Sequence, residues 1–148
     1  MRIAQQPFRY LAVAIVALLV AGCGSGQVAT YPSAGQVRFA DGTPVRFAFV
    51  EFVPTAGGIS SRAQVDEAGT FRLGTFAETD GCPAGRYRVV VTQHLPPNLA
   101  AAVGEHTSHT TIGIVAPLFT RPESTTLEVE VAAKPTNTFE LVVEPART

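Results

Sequence analysis

Tryptophan is absent from this chain, and its lone lysine is Lys134. Nucleic-acid recognition leaves a footprint of clustered Lys and Arg, and eleven basic against twelve acidic side chains make no such footprint. Two of the basic residues, Arg2 and Arg9, sit at the extreme N-terminus. Beyond them nine basic side chains face twelve acidic ones, a balance of about −3 that is too small for strong electrostatic steering. Cysteine is scarce, with only Cys23 and Cys82. The main apolar run, Leu11–Val20, is LAVAIVALLV, about half the ~20 residues a membrane-crossing helix needs. There is no G-x-S-x-G elbow, no phosphate-cradling glycine loop and no H-E-x-x-H pair, so the common motifs of hydrolases, nucleotide enzymes and zinc proteases are missing. A chain of 148 residues has room for one domain.

The N-terminus has the layout of an export leader. A basic segment, MRIAQQPFRY, precedes the apolar run, and Val20-Ala21-Gly22-Cys23 follows directly. A run this short with these flanks reads as a signal peptide. The four residues resemble the bacterial lipobox, which implies that residues 1–22 are removed and that Cys23 is acylated and becomes the mature N-terminus. One acyl chain binds a bilayer reversibly, whereas two or more hold stably at ~0.8 kcal/mol per buried methylene. The expected membrane partner is therefore reached through lipid rather than through protein. Gly24 follows the cysteine, and by resemblance to lipoprotein sorting in two-membrane bacteria the lack of Asp there favours the outer membrane. A lipidated Cys23 also leaves Cys82 without an intramolecular partner, so the exported domain must rely on its core. Residues 23–34, continuing as GSGQVATYPSA, are expected to be a flexible tether of at most ~35–40 Å at ~3.5 Å per residue.

From Gly35 to the C-terminus the pattern is apolar alternation punctuated by turns, which is the signature of strands. Val37 and Phe39 alternate with Gln36 and Arg38, and Asp41-Gly42-Thr43-Pro44 forms a turn. In VRFAFVEFVP, Ala48, Val50 and Phe52 share a face that Val45 joins only through a bulge. Ala63 and Val65 lead through Asp66-Glu67-Ala68-Gly69 to Phe71 and Leu73. Tyr87/Val89/Val91, Leu127/Val129/Val131 and Phe139/Leu141/Val143 supply three more strands. The expected fold class for 35–148 is all-β, a seven-stranded antiparallel Greek-key sandwich of transthyretin or immunoglobulin type. The Cys…Trp…Cys core of an immunoglobulin domain proper is missing.

Three strings carry a family resemblance: GQVRFADGTPVRFAFVEFVP, DEAGTFRLGTF and DGCPAGRYRVVVT. They resemble the carboxypeptidase regulatory-like, transthyretin-like β-sandwich family, with its D-G-x-P-V turn, D-x-x-G-x-F hairpin and P-A-G-x-Y-x-V-x-V strand. Ser124–Val131 and Asn137–Leu141 fit the closing segments found in many bacterial lipoproteins of this type. The resemblance spans about 35–144 and implies a fold more than an activity, since most such domains are non-catalytic accessories that need no cofactor. Related purine-pathway hydrolases end in Tyr-Arg-Gly-Ser, whereas this chain ends VEPART. The matched residues have structural reasons. Gly42, Gly69, Gly81 and Gly85 suit positive φ or close approach, Pro44 and Pro83 pre-set turns, and the Tyr87 hydroxyl is expected to bond nearby backbone.

Chemistry-bearing residues concentrate in residues 93–111, QHLPPNLAAAVGEHTSHTT, a connection long enough to carry function. Asn98 caps an expected turn of helix that Gly104 ends. His94, His106 and His109, beside Glu105, are candidate zinc or copper ligands, although nothing in the sequence fixes the distance of His94 from the other two. Cys82 is a candidate thiol, but adjacent Asp80 raises its pKa and no base neighbours it. Asp66 and Glu67 lack the spacing of a calcium loop. Sugar platforms need exposed aromatics, and most Phe fall on the inward register. The sequence thus points to a non-catalytic, lipid-anchored envelope module for structure or protein interaction. The alternative is a metal- or glycan-binding lipoprotein using the 93–111 loop.

Overall fold

The computed structural model describes residues 28–97 and 113–147. The expected leader and Cys23 lie outside the described residues, as do Glu105, His106, His109 and the helical turn after Asn98. The described chain is all-β. Its strands are β1 (Thr30–Tyr31), β2 (Ser33–Phe39), β3 (Ala48–Pro54), β4 (Ser61–Gln64), β5 (Thr70–Arg72), β6 (Cys82–Pro83), β7 (Gly85–Gln93), β8 (Glu128–Val131) and β9 (Asn137–Val143), with a 3-10 turn at Pro117–Thr120. They form a three-stranded sheet β5-β2-β9, a four-stranded sheet β4-β3-β7-β8 and a two-stranded ribbon β1-β6. One apolar core takes side chains from both larger sheets. No helix among the described residues is long and apolar enough to cross a membrane.

The first corner departs from the expected continuous strand over 45–54. Val45 is buried and donates its N–H to Val37 O at 3.1 Å, so it still belongs beside β2. Ala48 is buried too, but pairs with Gln93 in the other sheet. The chain changes sheets between them, with Phe47 in the left-handed region at φ 54°. A sheet crossing, rather than a bulge, puts Val45 and Ala48 into the same core.

The β4–β5 hairpin also joins the two sheets. At its tip Asp66 N–H donates to Thr70 O at 3.0 Å and Val37 N–H donates to Gly69 O at 2.8 Å. Gly69 has φ +79°, and a Cβ there would lie 2.6 Å from Val37 O. Only glycine combines that left-handed backbone with so close an approach. At the hairpin's base Arg62 and Gly74 exchange two backbone bonds of 2.9 Å.

Two findings correct the expected antiparallel sandwich. β2 and β9 run parallel, from Ser33↔Asn137 to Phe39↔Val143. β8 runs down to Val131 opposite Gly85. The 132–136 turn then carries the chain to the other sheet, so β9 must climb in the direction β2 takes. Asn137 fastens that turn, its Oδ1 accepting from Ala132 N–H and its Nδ2 donating to Ala132 O, both at 3.0 Å. The second finding is the β1-β6 ribbon. Thr30–Tyr31 and Ser33–Ala34, placed in the tether by composition, are strand residues, and Ser33 is buried with its hydroxyl donating to Tyr31 O at 2.9 Å. A two-residue strand has no period to read.

Phe52, fully buried on β3, is the hub of the core. Its ring lies 6.2 Å from Phe71, 5.9 Å from Tyr87 and 5.2 Å from Phe139, centroid to centroid. Phe71 and Phe139 come from the opposite sheet. Gly35 makes room for this, since a Cβ there would lie 2.8 Å from the Phe71 ring and 2.3 Å from Phe139 O. The outer faces carry cross-strand ion pairs, Arg62–Glu51 at 3.0 Å, Arg38–Glu140 at 3.1 Å and Arg88–Glu128 at 3.7 Å. Exposed pairs of this kind contribute ~0–1 kcal/mol each. They keep the faces wet rather than hold the fold. Phe52→Ala is expected to destabilise the domain by ~3–5 kcal/mol, read as a lower urea midpoint with an unchanged slope; a loss under ~1 kcal/mol would contradict the hub role.

Candidate functional site

The strands give the sandwich two distinct ends. At one, β3 and β8 finish, β2, β7 and β9 begin, and the β1-β6 ribbon bridges the sheets. At the other lie the β2–β3 corner, the β4–β5 hairpin tip and both ends of the 94–112 connection. Gln93, the last residue of β7, closes the base of that connection. Its Nε2 donates to Arg46 O at 3.2 Å and to Gly113 O at 3.1 Å, and its Oε1 accepts from Val115 N–H at 2.7 Å. His94 N–H donates to Phe47 O at 2.8 Å, which holds the left-handed residue in place.

The His94 side chain is exposed, its ring edge-on to Phe49 at 5.8 Å and 84°. Phe49 lies on the outward parity of β3 with 45% of its surface exposed. A groove of about 560 Å³ runs beside them, its polar rim supplied by Glu51, Arg62, Gln64, Glu78 and Thr92. Glu51 is already paired with Arg62. An exposed ring with amide, hydroxyl and carboxylate groups around it can stack on an apolar ligand face and hydrogen-bond its edges. Phe49 was not singled out in the sequence, although its parity, opposite to that of Ala48, Val50 and Phe52, is a signal that could have found it. Nothing local marks Gln93, whose partners are distant in sequence.

Of the four candidate metal ligands, the described residues contain only His94. Among those residues no three His, Cys, Asp or Glu side chains converge. Cys82 is fully buried in the β1-β6 ribbon. Burial raises its thiol pKa, the hydrogen bonds of Ser61 and Tyr87 oppose that, and the Asp80 charge adds to it. A buried thiol held protonated is a poor nucleophile. Tyr87 is pushed well above the usual phenol range by burial and by Cys82, and its hydroxyl donates to Pro83 O at 2.8 Å. Asp66 is occupied with its own turn. Its Oδ1 accepts from Ala68 N–H at 2.9 Å and Thr70 N–H at 2.8 Å, and its Oδ2 accepts from the Thr70 hydroxyl.

Neither a family model nor a curated protein matches this chain. Among solved structures it aligns with part of a 9R-lipoxygenase from Cyanothece PCC8801, at 12% identity and a TM-score of 0.39, over 93% of this chain and 23% of that one. The chain thus spans about a quarter of that protein's length.

The Asp66 contacts have a readable consequence. The Thr70 hydroxyl and N–H hold the carboxyl below its ordinary value. A carboxyl lowered on folding stabilises the fold above its unfolded pKa of ~3.9, and that contribution is lost as pH falls through the folded value. An NMR titration is expected to place Asp66 below ~3.9 and Thr70→Val to return it toward that value; an unshifted Asp66 would contradict the turn geometry.

Proposed function

We propose that the chain is a membrane-anchored, non-catalytic lipoprotein of the cell envelope, a structural or protein-interaction module held by acyl chains on Cys23. The observation that carries this reading is the sequence Val20-Ala21-Gly22-Cys23 placed directly after the Leu11–Val20 run. The anchor needs no help from the protein surface, because two or three acyl chains suffice. In a two-membrane cell Gly24 points to the outer membrane. The domain itself is read as a Greek-key sandwich of carboxypeptidase regulatory-like, transthyretin-like type. Its motifs support this by falling at the working joints of the fold. Asp41–Pro44 lies at the first corner, Asp66–Phe71 in the sheet-joining hairpin, Pro83–Val91 from ribbon into β7, and Asn137–Leu141 at the start of β9. Such a scaffold is a platform, and function lives in the surfaces it presents.

A second reading draws on the Phe49–His94 groove, in which the domain holds a glycan or a metal through this end and the 93–111 loop. Chitotetraose titrated into labelled protein is then expected to shift the Phe49 and His94 resonances, and elemental analysis to find stoichiometric zinc or copper. Silence in both leaves the interaction-module reading alone. The first reading has its own test. Cys23→Ala is expected to move the protein from the membrane to the soluble fraction and to block processing after Gly22; unchanged membrane association would refute the lipid anchor.

A further inference from the structure

The two ends of the sandwich differ in chemistry as well as in connectivity. At the end where the chain enters, the segments are 28–32 (VATYP), 54–60 (PTAGGIS), 82–85 (CPAG) and 132–136 (AAKPT). Together they contain no acidic residue and a single base, Lys134; the 73–81 connection that adjoins them, with Leu73 bonded to Ser33 and Gly81 packed on Tyr31, adds Glu78 and Asp80, the latter accepting from the Thr75 and Phe76 N–H groups. The opposite end carries Asp41, Asp66, Glu67 and Glu144 on its described segments, with Arg46 and Arg147. Exposed apolar side chains occur at both ends, with Phe47 at 37% and Phe49 at 45% toward the far one. The two most exposed large apolar side chains among the described residues, Val28 at 56% and Ile59 at 53%, both lie at the entry end. Ile59 follows Gly57 and Gly58 at the tip of the β3–β4 turn, beyond the point where Thr55 N–H donates to Arg86 O at 3.0 Å.

Chain length connects these side chains to a bilayer. Only Gly24–Gln27 separate Cys23 from Val28, so the two are at most ~18 Å apart at ~3.5 Å per residue. Composition had allotted a tether of twice that reach, but the pairing of Thr30–Tyr31 with Cys82–Pro83 takes up half of it. We propose that this entry end lies against the lipid bilayer, with Val28 and Ile59 in the interface and Lys134 facing the headgroups. The inference rests on the lipid anchor at Cys23. Exposed apolar side chains gain by leaving water, and the Lys134 cation suits an anionic leaflet. The far end, with Asp41, Asp66, Glu67 and Glu144, is held away from the leaflet across the length of the strands. That orientation turns the Phe49–His94 groove and the 94–112 connection toward whatever the anchored protein meets.

The test uses the full chain, processed in a lipoprotein-exporting bacterium and reconstituted into phosphatidylcholine–phosphatidylglycerol vesicles. Nitroxide labels are attached separately to I59C, V28C and E67C variants; all three positions are exposed and buried Cys82 does not compete. Severalfold higher ratios of oxygen to nickel-chelate accessibility at residues 59 and 28 than at residue 67 are expected. Equal ratios at all three sites, or the highest at residue 67, would overturn the orientation. Mass spectrometry of the N-terminal peptide from the same preparation reports the anchor separately. An unmodified residue 23 overturns the anchor and the orientation with it, whereas a lipidated residue 23 with site 59 in water overturns the orientation alone.

Discussion

The contact of Phe52 with Phe71 and Phe139 across the two sheets is the interaction on which the rest of this structure depends. No disulfide ties the described sheets together, since Cys82 is a free, buried thiol. Each sheet alone is a thin curtain of strands with one apolar face. Aromatic pairs of this geometry contribute ~0.5–1.5 kcal/mol each beyond the area they bury. The larger effect is the burial itself, at ~25 cal/mol per Å² of apolar surface. Gly35 has no side chain so that the Phe71 ring can lie over β2, and Tyr87 completes the cluster while its hydroxyl ties β7 to the ribbon.

Once the sheets are clamped, the connections acquire their directions. The β2–β3 corner, the β4–β5 hairpin and the β8–β9 turn all cross from one sheet to the other, so the core is closed by backbone on several sides. Buried polar groups at these crossings and beside β7 are satisfied within the fold. Asn137 holds Ala132, Thr125 donates to Val89 O at 2.7 Å, and the Ser61 hydroxyl meets that of Thr75 at 2.7 Å. None of these bonds is worth much more than ~1 kcal/mol net, but each would be expensive to leave unmade. They define which loops gather at which end, and therefore where the chain enters and where the Phe49–His94 groove opens.

Much of the fold was legible because alternation is a local signal. Val37, Val50, Val89, Leu141 and their neighbours announce an inward face by parity alone. Pairing is not local, and the parallel partnership of β2 with β9 depends on the direction in which β8 arrives at the 132–136 turn. Thr30–Tyr31 were too short to show a period, and Phe47 too bulky to be expected at positive φ. The candidate site was legible in part. Phe49 stands on the outward parity and His94 at the end of a strand, but Gln93 binds Arg46, Gly113 and Val115, partners that no spacing reveals. Asp66, read in the sequence as part of a hairpin turn without calcium-loop spacing, is a turn residue, because a carboxylate two and four residues before free N–H groups satisfies those first.

If the aromatic clamp makes the two sheets one cooperative unit, their most protected amides open together. Native-state hydrogen exchange in increasing denaturant tests this most directly. The amides bonded in the β2–β9 and β3–β7 pairs are predicted to converge on one global unfolding free energy with one common slope. Two separate isotherms, one for each sheet, would contradict the account.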